Sequence, residues 1–123
     1  MELHTFILVG IIASFLSAAS AVPGIATFYT SYVPSACYGS KNNGVMIAAA
    51  GDAIWNGGAA CGKFYTVRCT GARNAVPHPC KGGSVTVKIV DHCPGCPSTL
   101  DLSREAFSKI ANPVAGIINI DYR

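Results

Sequence analysis

The chain has 123 residues, which is the length of a single domain. Its 13 glycines, 7 prolines and 6 cysteines, with only 12% charged residues, exclude a coiled coil and a disordered charged tail. The net charge of +3 comes from basic residues that are scattered singly, whereas a nucleic-acid-binding surface usually shows a basic stripe. We therefore expect no nucleic-acid partner, and only weak attraction to an acidic matrix or a membrane surface.

The N-terminal segment predicts a cleaved signal peptide. Residues 6–16 form an apolar run that is too short to span a bilayer, and small residues follow it. Ala19 and Ala21 make the small-x-small pattern of a cleavage site, so we place the cut before Val22. The terminal amine is the only positive charge before the apolar run, which is a departure from the usual pattern. A membrane anchor is the alternative, but we expect residues 1–21 to be removed and no segment to span a membrane.

Short strands and loops account for the next part of the chain. Residues 24–29 mix Ile, Thr, Phe and Tyr and predict a strand, whereas residues 32–43 are rich in turn-forming residues and predict a loop. Residues 45–50 are a continuous apolar run, which indicates either a buried strand or a short helix. Residues 54–58 predict a turn that carries Trp55, the only tryptophan.

The second half of the chain continues this pattern. Residues 64–69 alternate like a half-buried strand, residues 72–83 predict a loop, and residues 117–122 predict a final strand. Residues 84–90 form the clearest strand of the chain. The apolar face of that strand consists of Val85, Val87 and Ile89.

Residues 103–111 predict a helix. Ser103 is the expected N-cap, and Asn112 with Pro113 ends the helical pattern. Many short strands with one convincing helix are typical of a small closed β-barrel.

All six cysteines lie after the proposed cleavage site. An even number of cysteines in a secreted chain predicts three disulfides, but fifteen connectivities are possible and the residues alone do not choose among them. Cys93 and Cys96 have the spacing of a zinc site or of a thioredoxin-like redox site. A zinc site would need a second ligand pair, for which Cys61 and Cys69 are poorly spaced. We therefore favour structural disulfides and expect no metal and no cofactor.

Six segments, taken in order, match a pattern known from plant proteins. They are ATFY at 26–29, SACYG at 35–39, WNGGAACG at 55–62, VRC at 67–69, VKIVDHCP at 87–94, and LDLS at 100–103 with AF at 106–107. Together they resemble the first domain of expansins and the stand-alone family-45-endoglucanase-like domain proteins. The resemblance is greatest to the plant natriuretic peptide branch, a set of small secreted proteins, and it covers residues 22–123.

The resemblance implies an all-β fold, a six-stranded double-psi β-barrel with one short helix, stabilised by disulfides. It also implies how the cysteines pair, namely Cys37–Cys61, Cys69–Cys80 and Cys93–Cys96. Residues 22–123 are then one expansin-like barrel domain that follows the signal peptide.

The acidic residues argue against a glycoside hydrolase. Glycoside hydrolysis requires two carboxyl groups that flank the scissile bond. By resemblance, Asp91 and Asp101 fall where the expansin groove keeps its aspartates, and Asp101 matches the acid of related hydrolases. The second carboxylate belongs between residues 29 and 61, where only Asp52 occurs, in a different sequence context. We therefore expect no catalytic residue and no enzymatic activity.

Four residues are groove candidates, each with a structural alternative. Asp101 either lines the groove or complements the N-terminus of the following helix. Asp91 either lines the groove or orders the loop at residues 92–96. Thr27 and Tyr29 match the expansin groove motif, but they are also ordinary strand residues.

Aromatic residues offer a further possibility for binding. Trp55, Tyr32 and Tyr38 would form a platform on which sugar rings stack. Alternatively, Trp55, beside a glycine pair, packs as a lid on the barrel. We expect His78, between two prolines, to be an exposed loop residue.

These observations predict a secreted, non-enzymatic, monomeric protein of the apoplast. By resemblance to plant natriuretic peptides, it would act in water and solute homeostasis through a cell-surface receptor. The alternative is a protein that binds or loosens cell-wall polysaccharide without hydrolysis, as expansins do. Expansins carry a second, β-sandwich domain, for which the sequence up to Arg123 leaves no room. A hydrolase or lytic transglycosylase is a third possibility, disfavoured by the missing carboxylate.

Overall fold

The computed structural model describes residues 20–123. Apart from Ser20 and Ala21, the predicted signal peptide lies outside the described residues, so the predicted cleavage stays a prediction. Within residues 20–123, every helix is too short or too polar to cross a bilayer.

Six strands form the framework. They are β1 (Val22–Tyr29), β2 (Ile47–Gly51), β3 (Phe64–Ala72), β4 (Val85–Cys93), β5 (Leu100–Ser103) and β6 (Ile117–Tyr122). Two short α-helices, α1 (Asp52–Trp55) and α2 (Arg104–Ile110), follow β2 and β5 directly. Two single-turn 3₁₀ helices lie at Asn56–Gly58 and Pro113–Ala115.

The strands close into a barrel in the order β1-β5-β2-β4-β3-β6, and β1 pairs with β6 to complete it. Two neighbouring pairs are parallel, β1 with β5 and β2 with β4, and the other four are antiparallel. Closure leaves no free sheet edge, which matters for a small all-β domain. The predicted six-stranded barrel is confirmed.

The core lies inside the barrel and beneath α2. Val85, Val87 and Ile89 are buried, which confirms the predicted apolar face of β4. Phe107 on α2 is fully buried, and its ring centroid lies 5.1 Å from that of Phe28. Burying a side chain of this size contributes on the order of 2–3 kcal/mol. This packing holds α2 against the barrel.

Local signals set the ends of α2. The Ser103 hydroxyl accepts a 3.0 Å hydrogen bond from the Ala106 amide, so Ser103 is the predicted N-cap. The same hydroxyl donates to the carbonyl of Val45, which ties the loop before β2 to the start of α2. Asn112 caps the following 3₁₀ turn through a bond from the Val114 amide. The predicted helix and its end are confirmed.

Three segments differ from expectation or settle an open choice. The apolar run at 45–50 forms most of strand Ile47–Gly51 and not a helix. The strand lies between two barrel strands and is buried on both faces. The predicted turn around Trp55 begins as the one-turn helix α1 and continues as a 3₁₀ turn. Strand β5 was not predicted from the local pattern, since its four residues are all buried and show no alternation.

Candidate ligand-binding site

A row of side chains crosses the outer face of four neighbouring strands. On β1 and β5, Thr27 is in register with Asp101. Asp101 is in turn in register with Ala49 of β2. Ala49 is in register with Asp91 of β4, which ends the row. The residues that alternate with them, such as Ala26 and Leu100, are fully buried in the core. Because side chains in register share one face of a sheet, this row lies on the outside of the barrel. The methyl group of Ala49 separates the two aspartates and forms a low floor between them.

Asp101 is nearly buried in this row, with 9% of its surface exposed. The Thr27 hydroxyl donates a 2.8 Å hydrogen bond to Asp101 Oδ1, and the Ser98 hydroxyl lies 2.8 Å from that of Thr27. A hydroxyl has one proton to give, so Ser98 donates to Thr27 and the bonds form a relay. Burial raises the pKa of the Asp101 carboxyl, the bond from Thr27 partly lowers it, and the charge of Asp91 raises it further.

Asp91 combines two of its predicted alternatives. Its Oδ1 accepts hydrogen bonds of 2.9 Å from the amides of Ala36 and His92, so the carboxylate orders the loop before β2 and the start of the 92–96 loop. Its other oxygen, Oδ2, makes no hydrogen bond within residues 20–123, and Asp91 is in register with Ala49 on the outer face.

Tyr29 lies two residues beyond Thr27 on the same face of β1. Its hydroxyl is buried and has no hydrogen-bond partner among residues 20–123. Burial raises the pKa of this hydroxyl far above its usual range, and the nearby charges of Asp91 and Asp101 add to the rise. The structure therefore brings together the four predicted groove residues Thr27, Tyr29, Asp91 and Asp101.

The three rings of the predicted aromatic platform each contact other side chains. The Trp55 ring stacks on His92, with ring centroids 4.4 Å apart and an angle of 2° between the planes, and it also packs against the core. Tyr32 meets Tyr29 edge to face at 5.2 Å. The third ring, Tyr38, lies beneath Lys88 and Lys41. The packing of Trp55 against the core agrees with the lid alternative, and a role of these rings in sugar stacking stays a prediction.

An aspartate–histidine pair beside Trp55 was missed by the sequence analysis. Asp52 Oδ1 lies 2.9 Å from His92 Nε2, and Asp52 Oδ2 accepts a 3.0 Å bond from the Gly95 amide. These bonds, that from Gly95 first, hold the pKa of Asp52 below its usual range. Asp52 and His92 are 40 positions apart, and no local signal links them. Asp52 thus anchors the 92–96 loop, while His78 is an exposed loop residue, as expected.

The cysteines are fully paired within the described residues. The disulfides join Cys37 to Cys61, Cys69 to Cys80 and Cys93 to Cys96, which is the pairing that the resemblance implied. Cys93, Cys96 and Asp101 place their ligand atoms within 4.8 Å of one another, which is the arrangement of a metal site. The two sulfur atoms are bonded to each other, however, and so they are not thiolate donors.

The fold and these residues agree with known sequences. A profile of a double-psi β-barrel family, described as lytic transglycolase, matches residues 47–122. "Putative EG45-like domain containing protein 1" of Arabidopsis thaliana is 73% identical over 103 residues, which cover 83% of this chain and 82% of that protein. The chain belongs to the EG45-like domain proteins. The expected double-psi β-barrel is thereby confirmed for this EG45-like protein.

Expansins are more distant relatives of the EG45-like protein. Expansin-B4 of Arabidopsis thaliana is 36% identical over 91 residues, which cover 63% of this chain and 33% of that protein. The crystal structure of an expansin from Clavibacter michiganensis aligns with a TM-score of 0.67 at 32% identity, over 85% of this chain and 50% of that chain. A mutant of that expansin, solved in complex with cellohexaose, aligns with a TM-score of 0.64 at 30% identity, over the same shares of the two chains. The EG45-like protein thus spans half the length of this structural relative.

Proposed function

We propose that this EG45-like protein is a secreted, monomeric, non-hydrolytic protein that binds neutral β-glucan chains of the plant cell wall. The observation that carries the proposal is the outer-face row of Thr27, Asp101, Ala49 and Asp91, with Tyr29 beside it. The cellohexaose complex of the related expansin supports this substrate class.

The chemistry of the row suits a sugar chain. Sugar hydroxyls are donors as well as acceptors, and the carboxylate oxygens of Asp101 and Asp91 accept hydrogen bonds. The Tyr29 hydroxyl, buried and unpartnered among the described residues, would gain the hydrogen bond that buried polar groups normally have. The small side chain of Ala49 leaves room for a chain to approach the sheet.

The same geometry supports binding without hydrolysis. An inverting or retaining glycosidase places its two carboxyl groups on either side of the scissile bond. Asp101 and Asp91 stand side by side on one face, and Asp91 Oδ1 is already bonded to two backbone amides. Both oxygens of Asp52 are engaged by His92 and Gly95. Its raised pKa would allow the Asp101 carboxyl to act as a general acid. Neither Asp91 nor Asp52 is placed to act as the general base that activates water on the opposite side of the sugar.

Calorimetric titration with cellohexaose tests the proposal. We expect the wild type to bind, and Asp101→Asn and Thr27→Val to bind at least about tenfold more weakly, because a charge-assisted hydrogen bond contributes roughly 1.5–3 kcal/mol. Asp121→Asn is the matched control, because Asp121 pairs with Arg68 on another part of the barrel.

A reducing-sugar assay on cellulose, xyloglucan and mixed-linkage glucan completes the test. We expect no release of sugar. A wild type that fails to bind cellohexaose would contradict the binding proposal. Hydrolysis by the wild type that disappears in Asp101→Asn would contradict the non-enzymatic one.

The three disulfides support an extracellular location. Disulfides form and persist in oxidising compartments and are rare in the cytosol. We propose the apoplast as the location, which fits a protein that meets cell-wall glycans.

A role in water and solute homeostasis through a cell-surface receptor is a second candidate. It follows from the resemblance to plant natriuretic peptides, which are stand-alone domains. The 82% coverage of the Arabidopsis EG45-like protein, against 33% of Expansin-B4, supports the comparison with stand-alone proteins. Adding the purified protein to protoplasts and recording their volume tests it. Swelling with the wild type and with Asp101→Asn would indicate a receptor surface separate from the groove, and absence of swelling would contradict the signalling role.

A further inference from the structure

Two lysines converge on one tyrosine ring that is not part of the outer-face row. Lys88 Nζ lies 4.5 Å from the centroid of the Tyr38 ring, and Lys41 Nζ lies 5.7 Å from the same centroid. Lys88 Nζ also donates a 3.4 Å hydrogen bond to Asn43 Oδ1. We call Tyr38, Lys41, Asn43 and Lys88 the Tyr38 cluster.

Neither lysine of the Tyr38 cluster forms an ion pair with an acidic residue among residues 20–123. Within residues 20–123, the ion pairs are Arg68 with Asp121 and Asp52 with His92, and neither includes a lysine. An aromatic face attracts ammonium groups, but it neutralises neither of them. Two like charges that share one ring therefore make a site whose electrostatics favour an anion.

The cluster adjoins a cleft whose lining is mostly apolar, with a few polar groups among it. Lys41 and Asn43 line a cleft of about 250 Å³, together with the polar residues Ser40, Asn42 and Tyr32 and the apolar residues Val45, Ile47 and Val90. The amide and hydroxyl groups match the hydroxyls of a sugar, while the apolar residues fit its C–H face. The cleft therefore points to an anion that is also a carbohydrate.

The surroundings of Tyr38 are held in place. The disulfide from Cys37 to Cys61 fixes the neighbouring residue, and the Tyr38 amide donates a 3.1 Å bond to Ser35 Oγ. On the same face, Phe64 is in register with Lys88 and exposes 64% of its surface. Phe64 adds a second aromatic ring on which a sugar ring can stack, and rigid anchors lower the ordering cost of binding.

We propose that the Tyr38 cluster binds uronate residues of an acidic polysaccharide, of the polygalacturonate type. The uronate carboxylate would meet Lys41 and Lys88, its hydroxyls would meet Asn43 and the other polar groups of the cleft, and its C–H face would lie on the apolar residues of the cleft. The Tyr38 cluster shares no residue with the outer-face row of Thr27, Asp101, Ala49 and Asp91, so one domain would contact a neutral and an acidic glycan through different side chains. Two lysines add little attraction to an anionic bilayer, which disfavours a membrane as the occupant.

Binding to immobilised polygalacturonate tests the proposal with the mature protein. We expect the wild type to bind at low salt, to be released as salt rises, and to ignore fully methyl-esterified polygalacturonate, which lacks the charge. The double variant Lys41→Gln/Lys88→Gln should bind at least about tenfold more weakly, since charge-assisted bonds are lost. Lys109→Gln removes the same charge from α2 and should bind like the wild type.

Parallel measurements separate this proposal from the others. The affinity of the double variant for cellohexaose should equal that of the wild type. If the double variant misfolds, the single variant Lys41→Gln provides the test, because Lys41 is exposed. Wild-type affinity for polygalacturonate in these variants would overturn the proposal, as would equal binding to the methyl ester. Binding to phosphatidylserine vesicles in place of polygalacturonate would also overturn it and would assign the cluster to a membrane surface.

Discussion

The hydroxyl of Thr27 donates a 2.8 Å hydrogen bond to Oδ1 of Asp101 across the parallel pair of β1 and β5. The bond keeps the Asp101 carboxylate on the outer face of the barrel. It also shows that the carboxylate contacts a neighbouring strand and not the helix that follows. The N-cap of α2 is Ser103, and the acidic residue in its first turn is Glu105.

Asp101→Asn should not destabilise the protein at neutral pH. Because the pKa of Asp101 is raised in the folded state, its charged form is disfavoured there. The stabilisation linked to this group is therefore complete below the unfolded pKa of about 4, and it is lost as the pH rises through the folded pKa. We expect the melting temperature of the variant at neutral pH to equal or exceed that of the wild type.

Melting curves of both proteins over a range of pH values give the check. The wild type should gain stability relative to Asp101→Asn as the pH falls through the folded pKa of Asp101. A variant that is less stable at neutral pH by roughly 0.5–1 kcal/mol would instead indicate that Asp101 supports the helix N-terminus.

Ser103→Ala should destabilise the protein by about 1–3 kcal/mol, because the variant loses the cap of α2 and the bond to the Val45 carbonyl together. For a domain of this size, each kcal/mol corresponds to a change of about 4–8 °C in the melting temperature. Ser84→Ala is the control, since Ser84 is exposed and its side chain makes no hydrogen bond within residues 20–123. Equal melting temperatures for the two variants would refute the capping role.

Removal of the Cys37–Cys61 disulfide should cost more stability than removal of the Cys93–Cys96 disulfide. The first joins residues 24 positions apart and the second only 3. In the chain-entropy model, the corresponding losses are about 3.5 and about 2 kcal/mol. Urea unfolding of the two double Cys→Ala variants measures the difference. Peptide mapping without reductant should recover all three pairs, and stoichiometric zinc in the purified protein would contradict the pairing of Cys93 with Cys96.

The secreted protein should begin at Val22 and carry no N-linked glycan. The prediction rests on the Ala19–Ala21 pattern and on the absence of an Asn-x-Ser/Thr sequence. Edman sequencing and intact mass measurement test both parts. A protein that keeps Met1 would contradict secretion through a cleaved signal, and mass removable by an N-glycosidase would contradict the second part.

Much of the fold was predictable because its signals are local. The alternation in β4, the cap at Ser103 and the Asn112-Pro113 pair act over a few residues, so the pattern of residues is sufficient to place them. The groove candidates came from the resemblance to expansins, which carries information that one chain lacks. The structure then brought Thr27, Tyr29, Asp91 and Asp101 onto one face, while their role in binding stays a prediction.

The composition, the alternating strands and the helix signals of this sequence were enough to determine an all-β domain with one capped helix. Tertiary structure alone decided the contacts between distant segments. Strand β5 exists because its backbone bonds to β1 on one side and β2 on the other, and a four-residue buried segment shows no periodicity of its own. Asp52 meets His92, and Lys41 and Lys88 meet on Tyr38, because barrel closure and the loop disulfide bring those segments together. Such pairings depend on where the chain returns in space, which no local pattern of residues records.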